Sequence, residues 1–246
     1  MCGRVQQTGP DLPGVNSEMG ATEETVAAAW RAHHNGSPRQ FLWVIRCQPG
    51  LNRYVHDLLQ WGLLPSWVKD PSDWPYPINA RGEDLTAKPS FRGAYKSRRC
   101  LIPVDAFFEW MKILEDGNPI KKGAKKQPYA IAMKDRSKFA LGGLWESWTD
   151  KGTQETRRTF TIVTCEPNSL VAQIHDRMPL ILHRKDYDRW LANIEPDPRA
   201  LIVPFPAELM DMWPISTKVN SPAYNSPDVV DPIDTPPAAP GQSDLL

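Results

Sequence analysis

The sequence predicts an α+β protein, a single domain built on a curved, barrel-like, mostly antiparallel β-sheet with a few short helices. Three observations lead there. Short apolar segments recur at Cys100 to Val104, Ala106 to Met111, Tyr129 to Met133, Phe139 to Trp145 and Thr159 to Thr164, at the close spacing of strands joined by short connections. In the last of these, Phe160 and Ile162 alternate with Thr159, Thr161 and Val163, as a strand requires. Helical patterns are few and brief, which points away from strands and helices in strict alternation and toward a sheet that curls on itself.

In chain order, residues 5 to 20 are rich in Gly, Pro and polar residues and read as loop. Thr22 to Ala32 reads as a helix with Glu in its first turn, where the helix dipole favours acid. Residues 35 to 56 show no clear period apart from a short apolar run, Phe41 to Ile45. Leu58 to Leu64 reads as a buried strand that ends in a turn at Pro65-Ser66-Trp67. Residues 68 to 78 carry Pro71, Trp74, Pro75, Tyr76 and Pro77 and must be loop. Lys88 to Lys96 suits a short basic helix that leads into the series of strands. Arg184 to Asn193 suits a helix with Tyr187 and Trp190 on one side, and Met212 to Thr217 a late strand. From Asn225 onward, Pro and Asp are dense and aromatic residues absent, the composition of a disordered tail. The division expected is a domain over residues 1–224 and a tail over residues 225–246.

With 246 residues, 41% hydrophobic and 24% charged, the chain has the composition of a soluble globular protein. No apolar run approaches a membrane span and the start lacks the basic-then-apolar order of a signal peptide, so an intracellular location is expected, nuclear in a eukaryote and cytoplasmic in a bacterium. Net charge is formally zero, yet the tail holds four aspartates and no basic residue, leaving 29 positive against 25 negative side chains in residues 1–224. Two basic clusters stand out in that body. Lys88, Arg92, Lys96, Arg98 and Arg99 form one, and Lys121, Lys122, Lys125 and Lys126 the other; each can neutralise phosphates or simply face solvent. Cys2, Cys47, Cys100 and Cys165 lie far apart without metal-ligand spacing, which argues against a disulfide framework and a zinc site. There is no Walker loop, dinucleotide fingerprint, His-Glu-x-x-His or Gly-x-Ser-x-Gly. No metal and no cofactor are expected.

The chemistry is concentrated at the start. Loss of Met1 would leave Cys2 with a free α-amine beside its thiol, two nucleophiles that are each partly deprotonated near neutral pH. Such a residue can condense with an aldehyde through the amine and close a thiazolidine ring through the sulfur. A Met-Cys start is also common by chance. Three further segments carry reactive or charged groups: Asn79-Ala80-Arg81-Gly82-Glu83, Pro103 to Trp110 with Glu109 among aromatics, and Ile174-His175-Asp176-Arg177-Met178-Pro179. A carboxyl among Phe107, Phe108 and Trp110 is expected to have a raised pKa that suits proton shuttling.

In this order and at these separations, the four segments resemble the SRAP (SOS response-associated peptidase) family, whose members crosslink to abasic sites in single-stranded DNA. Supporting matches are Gln60 to Trp67, Ser90-Phe91-Arg92, Arg98 to Pro103, Leu144-Trp145-Glu146, Thr161 to Thr164, and Trp213 to Ser216 with Val219-Asn220; together they cover residues 1–4 and roughly 58–224. An Asn-x-Ala-Pro-like segment that lines the DNA groove is usual in the family after the first helix, and residues 35 to 56 do not show it. The resemblance implies Cys2, Asn79, Glu109 and His175 as catalytic residues. Glu109 would move the proton of the Cys2 amine, His175 would protonate the sugar oxygen as the abasic ring opens, and Asn79 would orient the Cys2 amine or thiol. Arg4, Arg81 and Arg177 would hold phosphates, and Trp67 would stack on a base or block the duplex.

Three readings stay open on the residues alone. The chain is a monomer that traps abasic single-stranded DNA covalently, with peptidase-like self-removal of Met1. Otherwise it binds single-stranded or junction DNA without catalysis, or it is an N-terminal cysteine amidohydrolase.

Overall fold

A computed structural model describes residues 2–20, 30–48, 53–112, 126–192 and 197–233. Its strands are β1 (Val5–Gln7), β2 (Glu18–Met19), β3 (His33–Gly36), β4 (Phe41–Gln48), β5 (Arg53–Trp61), β6 (Asn79–Arg81), β7 (Arg99–Val104), β8 (Ala106–Lys112), β9 (Lys126–Met133), β10 (Phe139–Thr149), β11 (Thr156–Cys165), β12 (Met178–Pro179), β13 (Ile181–Leu182) and β14 (Met210–Pro214). Two α-helices accompany them among the described residues, α1 (Pro89–Ser97) and α2 (Tyr187–Leu191). None is long and apolar enough to cross a membrane.

Five strands close a barrel in the order β4-β5-β11-β10-β7 and back to β4. Four of the joints are antiparallel; the fifth, between β5 and β11, is parallel. A second, antiparallel sheet, β14-β9-β8-β1-β3, packs beside it. The predicted α+β class and barrel-like sheet are therefore what the chain forms.

The apolar runs read as strands are buried on both faces because each face has its own cover. Cys100, Ile102 and Val104 join Leu141, Phe160 and Ile162 in a core shared with the second sheet. The intervening Leu101, Ala140, Leu144 and Val163 pack outward beneath Phe91 and Tyr95 of α1 and Trp190 of α2. A Cβ on Gly143 would lie 2.5 Å from the Ile102 side chain and 2.8 Å from the Thr161 carbonyl oxygen, so the tight barrel wall requires glycine there. Helix α1 starts with Pro89 at its first turn, where a missing N–H costs nothing.

Several expectations need correction. Residues 5 to 20, read as loop, hold β1 and β2. The segment 35–56 without visible period contributes to β3, β4 and β5; Phe41 to Ile45 is only the start of the eight-residue β4. Polar residues masked the pattern there because they find partners inside: Arg46 is buried, pairs with buried Asp57 and stacks 4.5 Å over Trp145. Most of the helix expected over 22–32 lies outside the described residues, and residues 30–32 are not helical. Arg184 to Leu191 divides into a 3-10 turn, Arg184–Asp186, and α2. The late strand runs over Met210–Pro214, and Thr217 already begins a 3-10 turn.

The tail expected from residue 225 does not begin there. Asn225 binds the backbone of β3, the turn Pro227–Val230 buries Val229, and Pro232 bridges to Ile215. Its two described aspartates lie in that turn, Asp228, and at its end, Asp231. Residues 234–246 lie outside the described residues.

The excursion between β5 and β6 positions the site. Trp61 pairs with Phe160 of β11, and Asn79 rejoins the same strand opposite Ile162. The loop between them is pinched at its base by Gly62, at φ +126°, and by a Leu63 N–H that donates to the Pro77 carbonyl. Asn79 is thus placed by a strand, with an aromatic loop projecting just before it.

Candidate active site

Cys2 is fully buried in the main core, ahead of the short strand β1. Two ladders hold that strand: Val5 pairs with Phe107 of β8 and with Gly36 of β3. The Phe108 N–H donates to the Arg4 carbonyl at 3.0 Å. That antiparallel register carries Glu109 alongside the amino-terminal residues. The Cys2 thiol lies 3.8 Å from the Arg4 carbonyl oxygen. Its pKa is pushed well above the usual thiol range, first by burial and then by the Glu109 charge. The thiol is therefore neutral as it stands, and forming the thiolate requires a neighbouring base.

Glu109 is the carboxyl whose charge acts on the thiol. Burial raises its carboxyl to about 7, against the opposing pull of the amino-terminal charge and the Trp110 N–H. Of the aromatic residues around it in sequence, Phe107 shares its face of β8 and joins Cys2 in the main core, whereas Phe108 and Trp110 turn to the opposite face and pack in a separate cluster. His175 faces it, with Nε2 at 3.9 Å from Glu109 Oε2. The Asn79 amide Nδ2 donates to the Cys2 carbonyl at 2.8 Å. Asn79 thus orients Cys2 through the backbone rather than by the amine or thiol contact expected. Its Oδ1 is buried with no hydrogen-bond partner among the described residues, an open acceptor beside the nucleophile. Cys2, Asn79, Glu109 and His175, far apart in sequence, converge.

The expected phosphate contacts divide differently. Arg81 is exposed at the end of β6. Arg177 instead pairs in bidentate fashion with Glu83 at 2.7 and 2.8 Å and donates to the Thr164 carbonyl at 2.9 Å. Arg4 donates to Asn35 Oδ1 at 3.0 Å and to the Val219 carbonyl at 2.7 Å. Both guanidiniums already meet protein acceptors, although Arg177 Nε is buried without a hydrogen-bond partner among the described residues. Trp67 is 55% exposed and meets Trp74 edge-on at 5.3 Å. Trp110 is partly buried and donates to Asn220 Oδ1 at 2.7 Å. In the first basic cluster, Lys88 pairs with Asp84, Arg98 with Glu146, and buried Arg99 donates to the Trp190, Tyr95 and Ala192 carbonyls. Only Arg92 and Lys96 of the five face solvent without a recorded partner. Of the second cluster, all but Lys126 lies outside the described residues.

Two clefts are lined by chain neighbours of Cys2, Asn79, Glu109 and His175 rather than by those residues themselves. One, of about 600 Å³, runs beside Gly3 along Pro38, Ile78, Trp110 and Lys126. The other, of about 620 Å³, lies along Gly82, Arg177 and Arg199. Pro38 identifies a segment that the sequence reading missed. Asn35-Gly36-Ser37-Pro38 fits Asn-x-Ala-Pro with Ser37 in place of Ala, and its Pro38 lines the cleft. Asn35 and Pro38 at the expected spacing were the signal. Among the described residues no group of three or more His, Cys, Asp and Glu side chains lies close enough to hold a metal ion.

A small mixed barrel here buries its second residue, a cysteine, near a carboxyl, an imidazole and an amide. The chain belongs to the SOS response associated peptidase (SRAP) family, which it matches over residues 1–222. It is 35% identical over 235 residues to the abasic site processing protein YoqW of Bacillus subtilis, covering 94% of this chain and 99% of that one. It is 30% identical over 200 residues to the abasic site processing protein HMCES of Gallus gallus, covering 72% of this chain and 57% of the relative. A crystal structure of a protein from Bacteroides thetaiotaomicron is similar, with a TM-score of 0.78 at 27% identity, covering 94% of this chain and all of that one.

Proposed function

We propose that this protein processes abasic sites, trapping them in single-stranded DNA as a covalent link to Cys2. The observation that carries the reading is the burial of Cys2 beside Glu109, with its carbonyl held by Asn79 and His175 facing the carboxylate. The names of the relatives support it from outside.

In this mechanism, removal of Met1 frees the Cys2 amine. The amine attacks the C1 aldehyde of the open abasic sugar, and the carbinolamine loses water to give an imine. The Cys2 sulfur then adds to the imine carbon as the thiol proton passes by way of Glu109 to the nitrogen, closing a five-membered thiazolidine. Overall one aldehyde oxygen leaves as water and no redox change occurs. Glu109, poised near neutral pH, can accept and return these protons, and the high thiol pKa makes that base necessary. His175, less buried and at the mouth of the site, protonates the sugar ring oxygen during opening. Asn79 Oδ1 accepts from the freed amine. Exposed Arg81 contacts phosphate, and exposed Trp67 stacks on a base near the lesion. The cleft beside Gly3, lined by Pro38, Ile78, Trp110 and Lys126, suits a strand running past Cys2.

The test is incubation with a single-stranded oligonucleotide bearing one abasic site. Wild-type protein is expected to form an adduct that survives denaturation; Cys2→Ala and a form with an uncleavable amino-terminal extension are not. Self-removal of Met1 by the same residues predicts that Glu109→Gln, made in the same host, retains Met1.

A further inference from the structure

We propose that Asn35 is a positioning residue for the Cys2 nucleophile, holding the amino-terminal strand in place through Arg4, and that residues 219–225 form the cradle that fixes Asn35; the inference rests on the covalent reading above.

Asn35 is buried, and its side chain is fully occupied. Its Nδ2 donates to three carbonyls, those of Val219 at 3.0 Å, Ser221 at 2.9 Å and Tyr224 at 3.0 Å, while its Oδ1 accepts from Arg4 Nη1 at 3.0 Å. Two amide hydrogens shared among three acceptors fix the plane of the group. Arg4 reaches the same cradle directly, through the Val219 carbonyl at 2.7 Å and the Asn220 carbonyl at 3.4 Å. On the other side, Asn225 Oδ1 accepts the backbone N–H groups of His34 at 2.7 Å and Asn35 at 3.1 Å. Asn225 Nδ2 donates to the Ala32 carbonyl at 2.9 Å. One side-chain amide thus does for the edge of β3 what a further strand would do.

The consequence lies two residues from Arg4. The Arg4 carbonyl is held by the Phe108 N–H and sits 3.8 Å from the Cys2 thiol. With its guanidinium anchored by Asn35 and its carbonyl by β8, Arg4 leaves Cys2 little freedom relative to Glu109 and Asn79. Nucleophile placement is costly to lose, since an error of about 1 Å can slow a reaction by about 10²-fold. Tyr224 and Asn225 lie beyond residue 222, where the family match ends, so this chain completes its cradle with residues outside the family segment.

The experiment uses full-length protein with Cys2 at its terminus, verified by mass. Adduct formation is followed over a range of concentrations of an abasic oligonucleotide, which separates maximal rate from affinity. In parallel, alkylation of Cys2 is compared with that of Cys100, an equally buried thiol of the barrel that reports global opening. Asn35→Ala is expected to lower the maximal rate by about 10-fold to 100-fold at unchanged affinity and to speed alkylation of Cys2 but not of Cys100. Asn225→Ala should act in the same direction more weakly, and Asn225→Asp, which keeps the accepting oxygen, should recover the wild-type rate. An unchanged maximal rate overturns the inference, as does a defect confined to affinity, which would make Asn35 and Arg4 a DNA contact. Equal acceleration of Cys2 and Cys100 overturns it too, by making the effect one of stability. If Asn35→Ala does not fold, the exposed Asn225 pair decides by the same criteria. Absence of any wild-type adduct would instead defeat the covalent reading.

Discussion

His175 Nε2 stands 3.9 Å from Glu109 Oε2, beyond hydrogen-bond reach and well within the range of charge coupling. His175 Nδ1 lies 3.0 Å from the Arg177 amide nitrogen, 3.2 Å from the Arg177 carbonyl oxygen and 3.0 Å from Asp176 Oδ1, so it has a donor and two acceptors in reach, while Nε2 is the ring nitrogen turned toward Glu109. The imidazole and the carboxyl thus face each other without a direct hydrogen bond, and the separate roles proposed for them are distinguished by experiment.

Glu109 should set the pH dependence of the reaction. Burial raises its carboxyl to about 7, and as a base it works when ionised. Adduct formation should climb with pH through about 7. Glu109→Gln keeps the shape, removes the proton carrier and should slow the reaction by roughly 10²-fold to 10⁴-fold while losing that rise. Initial rates from pH 5.5 to about 8.5 decide it, and an unaltered profile in the variant would assign the rise to another group.

The same carboxyl should appear in stability. Its folded pKa is raised, so the folded state holds the proton more tightly than the unfolded chain, and stability falls as pH rises from the ordinary carboxylate range to about 7. Above that window the wild type carries a deficit of about 3 kcal/mol at most. Glu109→Gln should melt higher than wild type at pH 8 and lose the advantage in acid. Parallel melting curves across the window would refute this.

His175→Ala should slow adduct formation on an abasic oligonucleotide more than on a small open-chain aldehyde. Its proposed task, protonating the ring oxygen, matters only while the closed sugar dominates. Equal defects on both substrates would mean that the imidazole acts on Cys2 or Glu109 instead.

Arg81 and Arg177 should behave differently, although sequence alone puts them in one role. Arg81→Ala should weaken binding across all sequences and reduce the salt slope by about 1. Arg177→Ala removes the bonds to Glu83 and the Thr164 carbonyl, and with Glu83 more than half exposed should cost about 1 kcal/mol in stability while leaving the salt slope unchanged. A titration of affinity against salt, with melting curves for both variants, separates the two.

The strands from Cys100 to Thr164 were legible because each is a short apolar run buried on both faces and bounded by turns. Closure of the barrel was not, since the parallel pairing of Gln60 and Trp61 with Thr159 and Phe160 joins segments about a hundred residues apart. Segment 35–56 hid its strands because Asn35, Arg46 and Asp57 are polar residues buried with their partners. The boundary at residue 225 failed for a related reason. Composition reports the scarcity of apolar side chains, whereas Asn225 docks through hydrogen bonds to backbone. Arg4 and Arg177 likewise read as free cations, and only the fold reveals the acceptors already facing them.

Intact-mass analysis with peptide mapping, after wild-type protein meets a single-stranded oligonucleotide carrying one abasic site, tests the covalent reading most directly. The expected product has the mass of the protein without Met1 plus the oligonucleotide less one water, with the modification on Cys2. An adduct that retains Met1, that maps to Cys47, Cys100 or Cys165, or that forms equally well with Cys2→Ala would contradict the account.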